Sequence, residues 1–383
     1  VQYTNPLAGG NWIKESTFDP DDSFEDYKPQ INVMPRLAFS FPISDVANFF
    51  AHYDILVQRP PENNIATALS YFYFGDAGRT PENNPNLRPE RTIDYEIGFQ
   101  QKLTNSSAIK VSAYYKELRD MIQIRDFLFL PSDLNVTTYT GFDNLDFGTV
   151  KGFTFQYDLR RTKNVTILAA YTLQFADGTG SNAESSRNLG SRGNIRNLFP
   201  LSFDERHRFN ISLDYRYAAG RRYNGPVLFG KDILANAGLN VQTIAVSGRP
   251  YTATLVPTQF GGSGTVGSLN GARLPWNFTL NVRLDKNFRL YTPQEKTKSP
   301  IDLNVYVRVQ NLLDRRNLLG VYSASGSAED DGFLTSSIGQ SVLDGVRADG
   351  LEEFYVPSYT WAMLNPGFFT LPRRIYLGAI LEF

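Results

Sequence analysis

Along most of this chain apolar and polar residues alternate with a period of two. From 301 to 310, Ile301, Leu303, Val305, Val307 and Val309 alternate with Asp302, Asn304, Tyr306, Arg308 and Gln310. An extended backbone sends successive side chains to opposite faces, so this segment has one apolar and one polar face. From 374 to 383 the pattern recurs: Ile375, Leu377, Ala379, Leu381 and Phe383 share a face opposite Arg374, Tyr376, Gly378 and Glu382, with only Ile380 out of place. Nine further segments read the same way, at 37–41, 47–53, 93–100, 109–116, 153–159, 165–173, 209–217, 239–247 and 276–285. The pattern predicts eleven strands, and no stretch shows a helical period.

The connections alternate in length. Turns at 42–45, 104–106 and 162–164 are tight, whereas Pro/Asn/Gly-rich stretches before 93, from 126 to 147, from 174 to 203, and from 322 to 370 are long. The one long connection on the otherwise trimmed side is 218–236. Such a rule describes an antiparallel meander with one plain end and one elaborated end. Several strands exceed the five or six residues usual in a soluble sheet and match the span of a bilayer.

No run of eighteen apolar residues occurs, which excludes a membrane-spanning helix but not a barrel, whose strands are apolar at alternate positions only. The 28 Phe and 21 Tyr favour strands and membrane interfaces. Strand length, loop asymmetry and aromatic content together favour lipid over a packed sandwich core as the partner of the apolar faces. The predicted fold is all-β, a transmembrane antiparallel β-barrel.

Charge adds little: 38 Lys plus Arg nearly balance 39 Asp plus Glu, which gives no footprint for nucleic acid. The absence of cysteine rules out disulfides and thiolate metal sites, and the two histidines leave little for acid-base work. His52 and Asp54 fall on one strand face, and His207 follows Asp204 and Glu205, but no nucleophile motif accompanies either; both read as polar positions of a barrel wall. The acidic run Asp19, Asp21, Asp22, Glu25 and Asp26 lacks the glycine and terminal glutamate of a calcium loop and reads as solvated. Arg187, Arg192, Arg196 and Arg206 read as a solvated loop balanced by Glu184, Asp204 and Glu205. No cofactor, metal site or catalysis is expected. Aromatics near the long loops, Tyr71, Tyr73, Tyr355, Tyr359 and Trp361, are the candidates for stacking on a substrate.

Four segments in order resemble one family. Asn86-Leu87-Arg88-Pro89-Glu90 followed by Asp94-Tyr95-Glu96-Ile97-Gly98-Phe99 is similar to a segment of TonB-dependent outer-membrane receptors. So are Ser247-Gly248-Arg249-Pro250-Tyr251-Thr252, Val309-Gln310-Asn311-Leu312-Leu313-Asp314, and Pro372-Arg373-Arg374-Ile375-Tyr376-Leu377-Gly378 leading to Phe383. Met34-Pro35-Arg36-Leu37 and the stretch 328–340 resemble the Bacteroidota subgroup with a carboxypeptidase-regulatory-like N-terminal extension. The resemblance implies a twenty-two-stranded barrel with an N-terminal plug. On that expectation residues 1–383 are the C-terminal half, about 11–12 strands, of one barrel whose plug and N-terminal strands lie outside this chain, and Val1 to Thr4 are the tail of a twelfth strand. The chain starts at Val1 without Met or a signal pattern, and reads as a processed product or a fragment.

The implied function is energised uptake of an oligosaccharide, peptide or metal chelate across the Gram-negative outer membrane. The implied partners are outer-membrane lipid and lipopolysaccharide, TonB with its inner-membrane complex acting through the plug, and a surface lipoprotein. Leu377, Leu381 and Phe383 correspond to the barrel assembly signal. The alternatives are a passive porin and a structural or secretion-complex barrel without transport.

Overall fold

The computed structural model describes residues 2–3, 24–25, 29–60, 81, 84, 86–128, 138–185, 197–257, 264–292 and 300–383. Eleven long strands follow one another: β1 (Arg36–Ser44), β2 (Ala47–Gln58), β3 (Glu90–Lys102), β4 (Ser107–Leu128), β5 (Thr138–Thr162), β6 (Val165–Gly178), β7 (His207–Arg216), β8 (Ala237–Val246), β9 (Asn277–Tyr291), β10 (Ile301–Gln310) and β11 (Arg374–Glu382). Each pairs antiparallel with its sequence neighbour, so the sheet is a pure meander from β1 to β11, with the short Phe199–Pro200 strand added beside β6. The outer edges of β1 and β11 have no strand partner among the described residues.

The faces are inverted relative to a soluble sheet. Outward side chains on the strands are large, apolar and open: Ile97 is 56% exposed, Leu284 54% and Leu377 79%. Polar side chains on the opposite face are covered, with Asp54, Asp285 and Asn304 all under 10% exposed. Register continues the inversion across strands. Leu239, Leu284, Val307 and Leu377 form one outward row, and Gly238, Asp285, Tyr306 and Gly378 the inward row beside it. Apolar surface presented outward over strands of this length is what lipid requires.

Three features depart from the sequence reading. Of the stretch 126–147, read as a loop, the described residues 126–128 and 138–147 are strand. β4 runs for 22 residues and β5 for 25, and they stay paired from Ser107↔Leu159 to Leu128↔Thr138. Roughly 9–11 residues cross a membrane, so this hairpin stands well above it. A shift of register between Leu118 and Ile122, with Asp120 at φ 57°, marks where it leaves the wall. Its upper part closes over a small core of Leu87, Ile122, Ile124 and Phe142, which explains why alternation fades there: both faces find cover.

The second departure is helical. The connection 322–370, read as a loop, contains α1 (Ser337–Ala348) and α2 (Glu352–Ala362). Ser336 caps α1 by accepting the Gly339 N–H at 3.0 Å. Gly339, Gly345 and Pro357 interrupt the apolar period in these short helices, which hid them from a periodicity reading.

Third, Gln2–Tyr3 pairs with Phe24–Glu25 in a separate two-stranded sheet and does not extend the wall as a twelfth strand.

Candidate functional site

The inward face of the wall is built of charged groups tied across neighbouring strands. Arg36 Nε donates to Asp54 Oδ1 at 3.1 Å, and His52 Nε2 stands 3.4 Å from Asp54 Oδ2. Lys116 Nζ donates to Asp94 at 2.7 Å, and Lys110 lies 4.6 Å above the Phe50 ring. On the later strands Arg216 reaches Asp285, whose carboxylate also accepts from Asn304 Nδ2 at 3.1 Å, while Arg283 donates to Asn304 and covers the Tyr306 ring at 4.3 Å. His52 and Asp54 are thus wall residues in an ion-paired row.

Glycines make room for these side chains. The Tyr114 ring lies over Gly152 so that its hydroxyl reaches Gln174 Oε1 at 2.9 Å; a Cβ on Gly152 would fall 2.4 Å from that ring. Arg216 passes over Gly238 in the same way.

At the elaborated end two loops are stitched together by Asp204, which is 1% exposed. Its carboxylate accepts the Ala176 N–H at 3.0 Å and pairs with Arg273. Arg273 also donates to the Asp204 carbonyl at 2.8 Å. Of the arginines singled out in the sequence, Arg206 stacks over Phe175 at 5.3 Å, with its Nε 3.6 Å from Asp204. Arg187, Arg192 and Arg196 lie outside the described residues, as do Asp19, Asp21, Asp22 and Asp26. Between the stitched loops an open cavity of about 330 Å³ is lined by Ser181, Asn182, Glu184, Ser202, Thr252 and Asn270 over Phe199 and Leu269. Hydroxyls and amides dominate it, a donor and acceptor set suited to a neutral polar ligand. Sequence reading missed it because its residues come from two loops about seventy positions apart.

The third loop is held by Asp331, 2% exposed, which accepts the Phe333 N–H at 2.9 Å and the Tyr359 hydroxyl at 2.6 Å. Burial, followed by that bond to Asp331, raises the Tyr359 pKa well above the ordinary phenol value, so it stays a neutral donor. Tyr355 stacks on Tyr359 with centroids 6.0 Å apart. These two candidates therefore face the loop interior. Trp361 points the other way, 77% exposed, and with Phe354 at 75% it makes an aromatic stripe on the open face of α2. Tyr71 and Tyr73 lie outside the described residues. Leu377, Leu381 and Phe383 are all exposed on the outward face or beyond it. Among the described residues no group of three or more His, Asp or Glu side chains is placed to hold a metal.

His207 belongs to the outward surface. Its Nδ1 lies 2.9 Å from the Tyr171 hydroxyl and its ring stacks on Trp276 at 5.6 Å, with Phe209 stacked on Tyr171 at 4.5 Å. An aromatic cluster facing outward where strands meet loops is the belt expected at a lipid–water interface.

An inverted meander with a charged interior, an aromatic belt and one elaborated end agrees with the family model that the sequence matches. The model for TonB dependent receptor-like β-barrels covers residues 5–312. The chain belongs to this family. It is therefore part of a β-barrel of the Gram-negative outer membrane, and its apolar faces are lipid-facing. The family is one of receptors and transporters rather than of enzymes. No curated protein matches the chain.

Among solved structures it is similar to the outer membrane transporter YddB from Escherichia coli, at 14% identity and a TM-score of 0.50 over 75% of this chain and 38% of that one. The FrpB iron transporter from Neisseria meningitidis gives 14% identity and 0.45 over 75% and 35%. FpvA of P. aeruginosa, solved with heterologous pyoverdines, gives 11% and 0.46 over 75% and 30%. The chain spans about a third of the length of the solved structures it matches.

Proposed function

We propose that this chain forms the C-terminal wall and outer loops of a TonB-dependent transporter that takes up a large nutrient. The carrying observation is the contrast between the two ends of the meander. One end has tight turns between its early strands, and the other gathers the Asp204-stitched loops, the tall β4–β5 hairpin and the α1–α2 loop above a charged interior. A passive pore needs no such capture apparatus. Among the described residues the outer edges of β1 and β11 have no strand partner, and lipid cannot satisfy their backbone N–H and C=O groups, so in this reading further strands complete the barrel.

In this reading the substrate lands among the loops. Trp361 and Phe354 supply stacking surface, and the cavity of Ser181, Asn182, Thr252 and Asn270 supplies hydrogen bonds. Tyr71 and Tyr73, outside the described residues, remain candidates from the sequence. The cargo is an oligosaccharide, peptide or metal chelate, and the polar, weakly charged cavity leans toward the first. TonB and its inner-membrane complex drive release through the plug, a surface lipoprotein is a candidate partner at the loops, and no bond of the cargo is made or broken. Leu377, Leu381 and Phe383 act as the assembly signal at the last strand.

The test is uptake of labelled oligosaccharide, peptide and ferric chelate in cells lacking the gene, and separately in cells lacking TonB. Loss of the same substrate in both strains supports the reading. Uptake that needs the gene but survives TonB loss makes the protein a passive pore.

A further inference from the structure

The connection 218–236 is long where its neighbours at the trimmed end of the meander are tight, and capture of a substrate at the other end gives it no task. We propose that it is a docking finger for a periplasmic protein, one that offers an apolar pocket rimmed by carboxylates. The proposal rests on the outer-membrane reading, in which the trimmed end faces the periplasm. Val227 and Leu228 pair with Asp232 and Lys231 across a turn made by Phe229 and Gly230. Both turn residues have positive φ, 50° and 71°, the backbone of a type I′ hairpin that asparagine and glycine fill most readily. A bulky residue in that region is strained, and such strain persists where it serves a function. The Phe229 ring is 94% exposed, with Val227 at 59% and Leu228 at 52%. Three neighbouring apolar side chains are thus held out from the protein on a ladder of two short strands, which gains little stability by itself.

The base of the finger is fixed. Tyr223 Oη donates to the Pro226 carbonyl at 2.6 Å and accepts the Leu234 N–H at 3.2 Å, which ties the two legs together. Its ring packs on Tyr217 with centroids 5.9 Å apart, and Tyr217 meets Tyr215 edge-on at 5.2 Å. Asn224 Oδ1 accepts from Asn164 Nδ2 at 2.7 Å, and Lys286 Nζ donates to the Ile233 carbonyl. Tyr215 is in register with Leu239 of the outward row, so the finger is seated on the perimeter of the wall. Ten residues separate Tyr217 from His207 in the aromatic belt at the other end, the length that crosses a bilayer. The finger therefore begins where the apolar band ends.

Two features favour a protein over the lipid surface. Leu284, level with Leu239 and Tyr215, is 54% exposed, so the finger does not lie back along the lipid-facing wall. Acyl chains accept a ring in any orientation and give a strained turn no use, whereas a pocket selects one orientation. The cations set the charge of the partner. The connection carries Arg221, Arg222 and Lys231 against the single carboxylate of Asp232, all exposed. None of the three cations is ion-paired among the described residues. Lys231 stands opposite Leu228, which puts a positive charge beside the apolar tip.

The test uses the full-length protein with photoreactive benzoylphenylalanine in place of Leu228, so that Phe229 is kept. Light on living cells should give one adduct of fixed mass with a periplasmic protein, both with TonB present and in cells lacking it. The same group in place of Ile211 on the lipid face should give none. The trapped protein, once purified, should bind the detergent-solubilised parent saturably. Phe229→Ala should weaken that binding about tenfold, as truncation of an aromatic anchor does, while Phe229→Trp should keep most of it. Arg221→Gln/Arg222→Gln/Lys231→Gln should weaken it several fold and flatten its salt dependence. Heat-modifiable migration in gels confirms that each variant is a folded barrel. No adduct of fixed mass, an adduct that vanishes without TonB, or a Phe229→Ala variant that binds like the parent overturns the proposal. A spin label at Leu228→Cys in vesicles containing phosphatidylglycerol should respond to a water-soluble nickel chelate. A response to oxygen instead places the tip in lipid and overturns the proposal too. Uptake is not read in these assays, so a failure of the uptake reading leaves the result intact, and the converse also holds.

Discussion

Arg216 on β7 and Asp285 on β9 are joined by two hydrogen bonds, 2.9 and 2.8 Å, although a whole strand lies between them. The bridge crosses β8 at Gly238, where a Cβ would stand 2.5 Å from Arg216 Nη2. Asp285 is 8% exposed and Arg216 partly so. Gly238→Val should therefore push Arg216 off Asp285 and leave a covered carboxylate unpaired. We expect a loss of about 2 kcal/mol, less than the roughly 3–5 kcal/mol for breaking a fully buried pair, because water reaches one partner. Urea unfolding of the barrel in detergent measures it, and Gly238→Val with Asp285→Asn should recover part of the loss.

Asp146 gives the tall hairpin a pH dependence. Its Oδ1 accepts from Thr179 at 2.8 Å and Gln123 at 3.2 Å, while Oδ2 is buried without a hydrogen-bond partner. Burial raises its pKa from 3.8 to about 6, against the lowering effect of Thr179 and with a smaller push from Glu90. The folded state then holds the proton more tightly than the unfolded one. Stability is highest below the unfolded pKa near 4 and falls as pH rises toward 6 and beyond, by up to about 3 kcal/mol locally. Hydrogen exchange of the amides at 146–148 and 179–181 should quicken between pH 4 and 7 after correction for intrinsic rates. Asp146→Asn should flatten that change.

Tyr359 and Trp361 are two residues apart on α2 but should behave differently. Tyr359→Phe removes the bond to Asp331 and should destabilise the loop by about 1–2 kcal/mol, seen as faster proteolysis within 322–370. Trp361→Ala removes an exposed ring, so proteolysis should be unchanged while substrate affinity falls by several fold.

A charge on the lipid face should be costly in a way a charge on the interior face is not. Val307→Arg places a cation in the outward row between Leu284 and Leu377, at a cost of about 2–4 kcal/mol if it lies near the midplane. Arg308 occupies the inward face one residue later. Refolding yield into lipid vesicles should drop for Val307→Arg and hold for Arg308→Lys.

Every strand of the wall was legible because lipid outside and water or charge inside impose a two-residue period that nothing else in the chain overrides. The register of Ile301–Gln310 against Arg374–Glu382 follows from two such patterns facing each other. Legibility failed where that solvent contrast ends. Above the membrane, Ile122, Gln123 and Ile124 are buried in succession, so strand and loop look alike. The helices at 337–348 and 352–362 are short, carry glycine or proline, and rest on particular contacts such as Ser336 with Gly339 and Tyr359 with Asp331. The aromatic candidates were chosen by type and position along the chain, which cannot separate Tyr359, turned inward to Asp331, from Trp361, turned out.

The account turns on which face of the sheet meets lipid, and the chain's lack of cysteine makes that measurable directly. Val305→Cys, Tyr306→Cys, Val307→Cys and Arg308→Cys, each in the full-length protein in vesicles, can carry a spin label tested against oxygen, which partitions into lipid, and a water-soluble nickel chelate. The structure predicts that 305 and 307 respond to oxygen and 306 and 308 do not, a strict alternation over four residues. Four positions relaxed alike by the nickel chelate, or an alternation of opposite phase, would contradict a lipid-facing apolar row and with it the barrel wall described here.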